Sequence, residues 1–305
     1  MQRYILGRFI QGIVSVILVA TTVFIIVRMT GNPLDVITDP RITEQERQAV
    51  AERLGLDQPV IVQYGRYIAS LAQGDFGKSF QSQRPALELV IERLPATIQL
   101  TTAAMFVALV IALPVGVYAA VRRGSTLDAV VRLLAFSGQS APPFWTGIMA
   151  IWIFAVILGV LPCGGRSGIQ SIILPAATMG WFGAAGIIRL TRSSMLDVLG
   201  SDYITMARAK GLPEWIVIWK HGFKNAAIPV LTYCVLLFVL LLSGAVVAET
   251  VFAWPGVGRL MITSVHNRDF PVVQAVIILV SIFYIGANLI VDILYAWLNP
   301  KIRYQ

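Results

Sequence analysis

The chain has 305 residues, of which 57% are hydrophobic and only 13% charged, with a formal net charge of +8. Soluble domains carry roughly 25% charged residues, so this deficit argues against the pair of soluble domains that length alone would suggest. The basic excess would suit nucleic acid, but the charges fall between long apolar runs, a pattern that points to a bilayer instead.

A spanning helix needs ~20 mostly apolar residues, because each residue adds ~1.5 Å and the hydrocarbon layer is ~30 Å thick. Six runs qualify, at residues 9–27, 96–121, 133–160, 172–188, 228–248 and 272–291, and none contains Asp, Glu, Lys, Arg or His. In hydrocarbon every backbone donor and acceptor must be paired within its own segment, so the runs are expected to be helical. The ~10-residue alternation of a membrane barrel is missing. The expected fold is an all-α integral membrane protein with six transmembrane helices. It divides into residues 1–28 with the first span, a loop at 29–95, and a five-helix core at 96–305.

The first run follows Arg3 and Arg8, as a signal peptide would, but it is long and leads into Val27-Arg28-Met29-Thr30 rather than a small-residue cleavage site. It reads as a retained helix. Within 29–95, residues 43–56 form a capping-box pattern, with Thr43 followed by Glu46 and Gly55 as a stop. Residues 60–73 place Val60, Ile61, Tyr64, Tyr67, Ile68 and Leu71 at helical spacing. These short amphipathic helices would either shield the outer helix ends or dock a delivery protein. The following stretch, AQGDFGKS at 72–79, imitates a phosphate-binding loop, but Ala72 replaces the first glycine and no strand precedes it. Gly74 and Gly77 read better as turn residues.

Pro114 in the second run and Pro142 and Pro143 in the third remove backbone hydrogen bonds and are expected to kink their helices. Such kinks would shape a pore or simply fit the helices together. Cys163 falls in a loop and Cys234 within a span, at different expected depths, so no disulfide is expected. No CxxC and no metal-ligand cluster is present, and neither metal nor catalytic residues are expected. Gly244 would allow close helix packing.

Residues 191–227 are too polar to span and too apolar for a solvated linker. Asp202 caps an expected short helix through Tyr203, Ile204, Thr205, Met206, Ala207, Arg208, Ala209 and Lys210; Gly211 breaks it, Leu212 follows, and Pro213 sits where a second helix would start, carrying Trp215, Ile216, Ile218 and Trp219. Ala207 and Ala209 would permit close approach to another protein, and Arg208 and Lys210 would pair with acidic rim groups. An amphipathic helix lying on the inner leaflet, its tryptophans at headgroup level, is the alternative.

Glu249 ends the fifth run beside Trp254-Pro255-Gly256 and would line an outer gate, together with Trp254, Pro255 and Pro143, bind a ligand amine, or form a structural ion pair. Asp292, with Asn288 and Tyr295 at helical spacing, would orient an internal hydrogen bond. Orientation follows from the basic residues. With the N-terminus inside, thirteen lie in inner stretches and three in short outer loops; eight fall in the long 28–95 segment, which hardly counts. Both termini are therefore expected to be cytoplasmic.

The run DYITMARAKGL, followed by Asn225-Ala-Ala-Ile-Pro229-Val-Leu, resembles the coupling-loop signature of the peptide/nickel class of ABC-importer permeases. So do LGLDQP at 54–59 with Gln63, Tyr64 and Tyr67; GDFG at 74–77 with Ser79; LTRSSM at 190–195; ETVFAWPGVG at 249–258; and DILYAWLNPKIRY at 292–304. The resemblance runs in order along nearly the whole chain, and the false phosphate loop is part of it. The general importer loop begins Glu-Ala-Ala; here those positions are Thr205, Met206 and Ala207, with Gly211 in place, and its later hydrophobic and proline positions fall on His221 and Lys224. The match is thus to the peptide type rather than to sugar importers.

The resemblance implies a type I ABC importer permease fold in a bacterial inner membrane. It implies a homologous second permease, two cytoplasmic ATPase subunits that hold the ATP and magnesium, and an extracytoplasmic substrate-binding protein. This chain would bind no cofactor of its own, and residues 202–212 would couple it to an ATPase. An ATP-independent channel or secondary carrier is the rival, but it would normally place ionisable groups within the spans, and the six runs have none. An intramembrane enzyme is disfavoured because His221 and His266 fall on opposite expected faces. A membrane scaffold without transport remains a third reading. Peptides are the expected cargo class, with glutathione, nickel chelates and related solutes as the family's other options.

Overall fold

The computed structural model describes residues 2–29, 43, 45, 48–49, 51–52 and 57–298; the side chains of residues 2–6, 127, 134, 136, 137, 139 and 290–298 stand outside that description. The contact expected of Asp292 with Tyr295 therefore falls outside the described residues, as does most of the helix expected at 43–56.

Among the described residues the regular secondary structure is helical: α1 (Gln2–Met29), α2 (Val60–Ala72), α3 (Ala86–Val121), α4 (Thr126–Ser140), α5 (Pro143–Ala150), α6 (Gln170–Leu199), α7 (Asp202–Ala209), α8 (Lys224–Val251), α9 (Val257–His266) and α10 (Phe270–Leu298). Two π-helical segments, Ile151–Ile157 and Val217–Phe223, continue α5 and lead into α8. Five helical stretches are long and apolar enough to cross a membrane: those containing α1, α3, α6, α8 and α10. Their outward faces carry large apolar side chains, including Leu18, Phe106, Leu231 and Leu240. A soluble protein does not expose such continuous stripes, whereas lipid tails solvate them.

The third apolar run is the exception. It does not form one helix but breaks at Ala141-Pro142, leaving α4 on one side and an apolar helical stretch at Pro143–Ile157 on the other. Pro142 is extended (φ −60°, ψ 134°) and Pro143 opens α5. A proline disfavours the helical conformation in the residue before it, and Pro142 precedes another proline. The effect exceeds the kink expected there. α3 differs in the other direction, beginning at Ala86, ten residues before the apolar run, and absorbing Glu88, Glu92 and Arg93 in its first turns. Arg84 caps that end with ion pairs to Glu88 at 2.7 Å and to Glu92.

The chain packs as two units, residues 1–95 with 256–290, and residues 96–255 with 291–305. In the first, α2 lies on α1: the Phe24 ring meets Tyr64 and Tyr67 at 5.4 and 5.3 Å, Thr21 and Tyr64 share a 2.7 Å hydrogen bond, and Arg28 donates to Gln63. The turn at 73–85 is pinned by Asp269. Ser79 Oγ donates to Asp269 Oδ2 at 2.5 Å, the Phe80 amide donates to Oδ1 at 3.0 Å, and Ser79 is itself buried. The serine of the phosphate-loop lookalike thus holds a carboxylate of its own chain. Gly74 and Gly77 adopt positive φ in this turn.

In the second unit, α6 runs through the middle of a core built with α3, α4, α5 and α8. Small residues bring the helices together, as in other membrane helix pairs. A Cβ on Gly180 would stand 2.8 Å from the Ala104 carbonyl, and one on Gly116 would stand 2.8 Å from Thr191 Cβ. Gly244, expected to serve close packing, instead faces open space.

Candidate functional site

The segment between α6 and α8 folds as the sequence suggests over its first half. Ser201 is extended, its hydroxyl bonds Val198 O at 2.5 Å, and α7 then runs for two turns with Asp202 in the first. Lys210 ends it. Gly211 takes φ +74°, a left-handed conformation in which a side chain is strained. Leu212 and Pro213 follow, and one turn at Glu214–Ile216 passes into the π-helical Val217–Phe223 and directly into α8. The second helix expected after Pro213 is therefore the beginning of the membrane-length helical stretch that contains α8. A π segment inserts an extra residue per turn, which rotates the faces of the elbow relative to α8.

α7 has two faces. Ile204 and Ala207 are buried and pack with Val217, Val198, Leu199 and Leu212. Asp202, Tyr203, Thr205, Met206, Ala209 and Lys210 are exposed, with Met206 at 63%. Ala207, expected to admit a partner, is thus an anchor of α7 on its own chain. Arg208, expected to reach a partner's acid, pairs with Glu214 at 2.6 Å across the Gly211 turn. Tyr203 Oη accepts from Asn225 Nδ2 at 3.1 Å, tying α7 to the start of α8.

One strong charge pair next to this segment escaped the sequence reading. Asp128, 1% exposed, accepts from Arg192 Nε at 2.7 Å and Nη2 at 2.9 Å, and from the Gly124 amide at 3.1 Å. The Arg192 guanidinium holds its carboxyl well below the usual range, to about 2. The pair joins α4 to the part of α6 that leads into α7. Its signal in the sequence was the Ser125-x-x-Asp128 capping pattern, and the Asp128 amide does donate to Ser125 Oγ at 3.2 Å.

At the opposite end of the same unit, Glu249 and Trp254 are fully enclosed, at 0% and 1% exposure. Thr97 Oγ1 donates to Glu249 Oε1 at 2.5 Å, and the Trp254 indole N–H donates to Ala96 O at 2.8 Å. The Trp254 amide closes onto Glu249 O at 2.8 Å, and Gly165 N–H reaches Phe252 O at 2.8 Å. Arg166 lies over the indole, 5.9 Å from its centre. Pro255 is half-buried. Pro143 is exposed at the start of α5 and is not brought to Glu249 by any contact described. Cys163 is exposed and Cys234 buried, both as free thiols. No cluster of metal-ligating side chains forms among the described residues.

Lipid-facing stripes on membrane-length helices, with a short exposed helix clipped between two of them, define a multi-pass helical membrane protein. Residues 112–304 match the family described as binding-protein-dependent transport system inner membrane component, and residues 1–101 match its N-terminal companion. The chain belongs to this family. It is 44% identical, over the full length of both proteins, to the glutathione transport system permease protein GsiC of Salmonella paratyphi A, and 43% identical over the same span to GsiC of Escherichia coli K12. Among solved structures it resembles the inward-facing MetNI methionine ABC transporter with a TM-score of 0.58 and 19% identity, covering 69% of this chain and 96% of that one. An amino acid ABC transporter follows with a TM-score of 0.51 and 14% identity, covering 68% and 92%. These likenesses confirm the fold of the membrane component. The chain is a multi-pass inner-membrane permease subunit of an ABC importer, and ATP hydrolysis belongs to partner subunits of that assembly.

Proposed function

We propose that this permease moves glutathione or similarly small peptides from an extracytoplasmic binding protein into the cytoplasm. The full-length identity to glutathione permeases carries this reading. The chain is proposed to cross the membrane six times, with α4, α5 and the π segment after it completing the third crossing, and with both termini cytoplasmic. The thirteen basic residues grouped on that side support it. A second, homologous but distinct permease would complete the pore, and each permease would engage one of two ATPases.

The coupling element is α7. Its exposed face, with Tyr203, Thr205, Met206, Ala209 and Lys210, fits a groove on an ATPase, while Ile204 and Ala207 fasten it to the chain. ATP-driven closure of the ATPases would shift α7, and the elbow at 211–223 would carry the displacement into α8. The permease then exchanges two states whose balance follows the nucleotide. At the other end, the enclosed Glu249–Thr97 contact and Trp254 would form the stiff frame of the outer gate.

The test is ligand-stimulated ATPase activity of the purified complex with its binding protein, across glutathione, di- and oligopeptides and nickel chelates. Stimulation by glutathione and short peptides is expected; stimulation by chelates alone would replace the cargo assignment. Thr205→Ala with Met206→Ala should leave the fold within about 0.5 kcal/mol, as surface changes do, yet abolish most uptake. Undiminished uptake would remove α7 from the coupling role.

A further inference from the structure

The second unit contains a groove of about 510 Å³ outside the coupling face and the enclosed end. Its volume falls within the ~300–1,000 Å³ of ordinary ligand sites. α3 forms one wall from Pro114 to Arg122, Val131 of α4 forms another, and Ile218 and Trp219 of the π segment close it. The lining is overwhelmingly apolar until the α3 terminus, where Arg122 lies on the rim with its guanidinium 5.8 Å from the centre of the Tyr118 ring. Tyr118 and Trp219 are both about half exposed, and Trp219 is propped by Phe223 at 5.4 Å.

We infer that this groove is a binding site for an anionic glycerophospholipid, its phosphate on Arg122 and one acyl chain along α3. Three observations select that occupant. α3 is a spanning helix, and Arg122 and Arg123 directly follow its last turn, so the rim stands where headgroups stand. From Arg122 back to Pro114 the groove descends eight residues, roughly 12 Å at 1.5 Å per residue, into hydrocarbon. Tyrosine and tryptophan flank the mouth, as they do at a membrane–water boundary.

Charge completes the selection. Arg122 on the rim is exposed, as are Arg123 and Lys220, which directly follow the lining residues Arg122 and Trp219 in the chain. The single acid of α4, Asp128, is already engaged by Arg192, and neither Val217–Phe223 nor α3 from Pro114 onward carries an acid. A zwitterionic lipid would fill the apolar part equally well but would gain less at the rim. Since Trp219 lies in the elbow that leads from α7 to α8, an acyl chain here would also support the element that moves.

Trp219 is its own probe. The assembled permease–ATPase complex is placed in phosphatidylcholine nanodiscs doped with brominated phosphatidylglycerol or with brominated phosphatidylcholine, and tryptophan quenching is compared with that of a Trp219→Phe counterpart. The difference isolates Trp219. Brominated phosphatidylglycerol should quench it at about fivefold lower mole fraction, the ratio matching the ~1 kcal/mol that one basic side chain gains at an anionic surface. Arg122→Gln should bring the two curves together while both lipids still quench. Val131→Phe, which fills the groove and leaves Arg122 in place, should reduce quenching by both. Equal quenching by the two lipids in the unaltered complex would overturn the inference in favour of a non-selective lipid annulus. Quenching by neither would overturn it in favour of a protein partner seated on the groove.

Discussion

The two ends of the second unit are built on opposite principles. At one end Glu249, Phe252 and Trp254 are enclosed, and their polar atoms close onto backbone and side chains of α3 and the 158–169 loop. At the other end α7 exposes most of its surface, is anchored by Ile204 and Ala207, and continues through a π-helical elbow. An end that is densely packed resists displacement, because interiors are close-packed and yield only by rearranging. An end held by Ile204, Ala207, one exposed ion pair and one exposed hydrogen bond around a glycine turn can be pulled as a handle. Under the coupling role proposed for α7, that asymmetry would let force enter at the handle without loosening the frame.

The comparison breaks most visibly at Trp254. Trp254→Ala removes an enclosed indole together with its bond to Ala96, and should cost about 3–5 kcal/mol, read as loss of folded complex in a thermal melt in detergent. A melt close to the unaltered protein would mean the enclosed end is not the stiff one. Asp128→Ala comes next. It strands Arg192 partly buried, with an expected cost of about 3 kcal/mol, and Asp128→Leu with Arg192→Met should recover most of it. The depressed carboxyl adds a pH signature. Stability from this pair is complete above the ordinary Asp pKa of about 4 and declines only as pH falls toward about 2. A loss between pH 8 and 5 that vanishes in Asp128→Ala would contradict the assignment.

Gly211→Val tests the turn itself. It forces a β-branched residue to φ +74° and should cost about 1–2 kcal/mol, while lowering transport per ATP hydrolysed more than it lowers the melting temperature. The smallest effect belongs to the pair across that turn. Arg208→Ala or Glu214→Ala should shift stability by less than about 1 kcal/mol, since both side chains are about half exposed. A larger shift would show that the pair, and not the glycine, sets the turn.

Much of this was legible in the sequence. Five of six apolar runs became helices of spanning length, the amphipathic stretch after Pro59 became α2, and α7 starts at Asp202 and stops before Gly211 as its capping and breaking residues indicate. These follow from local rules, namely backbone pairing in hydrocarbon, helical spacing, and glycine's access to positive φ. The misreadings share a different cause. α3 starts early because Arg84 offsets its acidic first turns; Ala207 turns inward because Val217 and Leu212 return to cover it; Gly244 is open because the close approaches fall on Gly116 and Gly180. Asp128 carries no local sign of its partner, because Arg192 stands sixty-four residues further along the chain.

By itself the sequence determined the solvent of this protein, its helical spans and the break at Gly211, because each depends on residues within a few turns of one another. Only the tertiary structure decided which face of α7 is free, which charge is locked and where a lipid-sized groove opens. Those depend on which side chains return from distant helices to cover a surface, and no local periodicity carries that information.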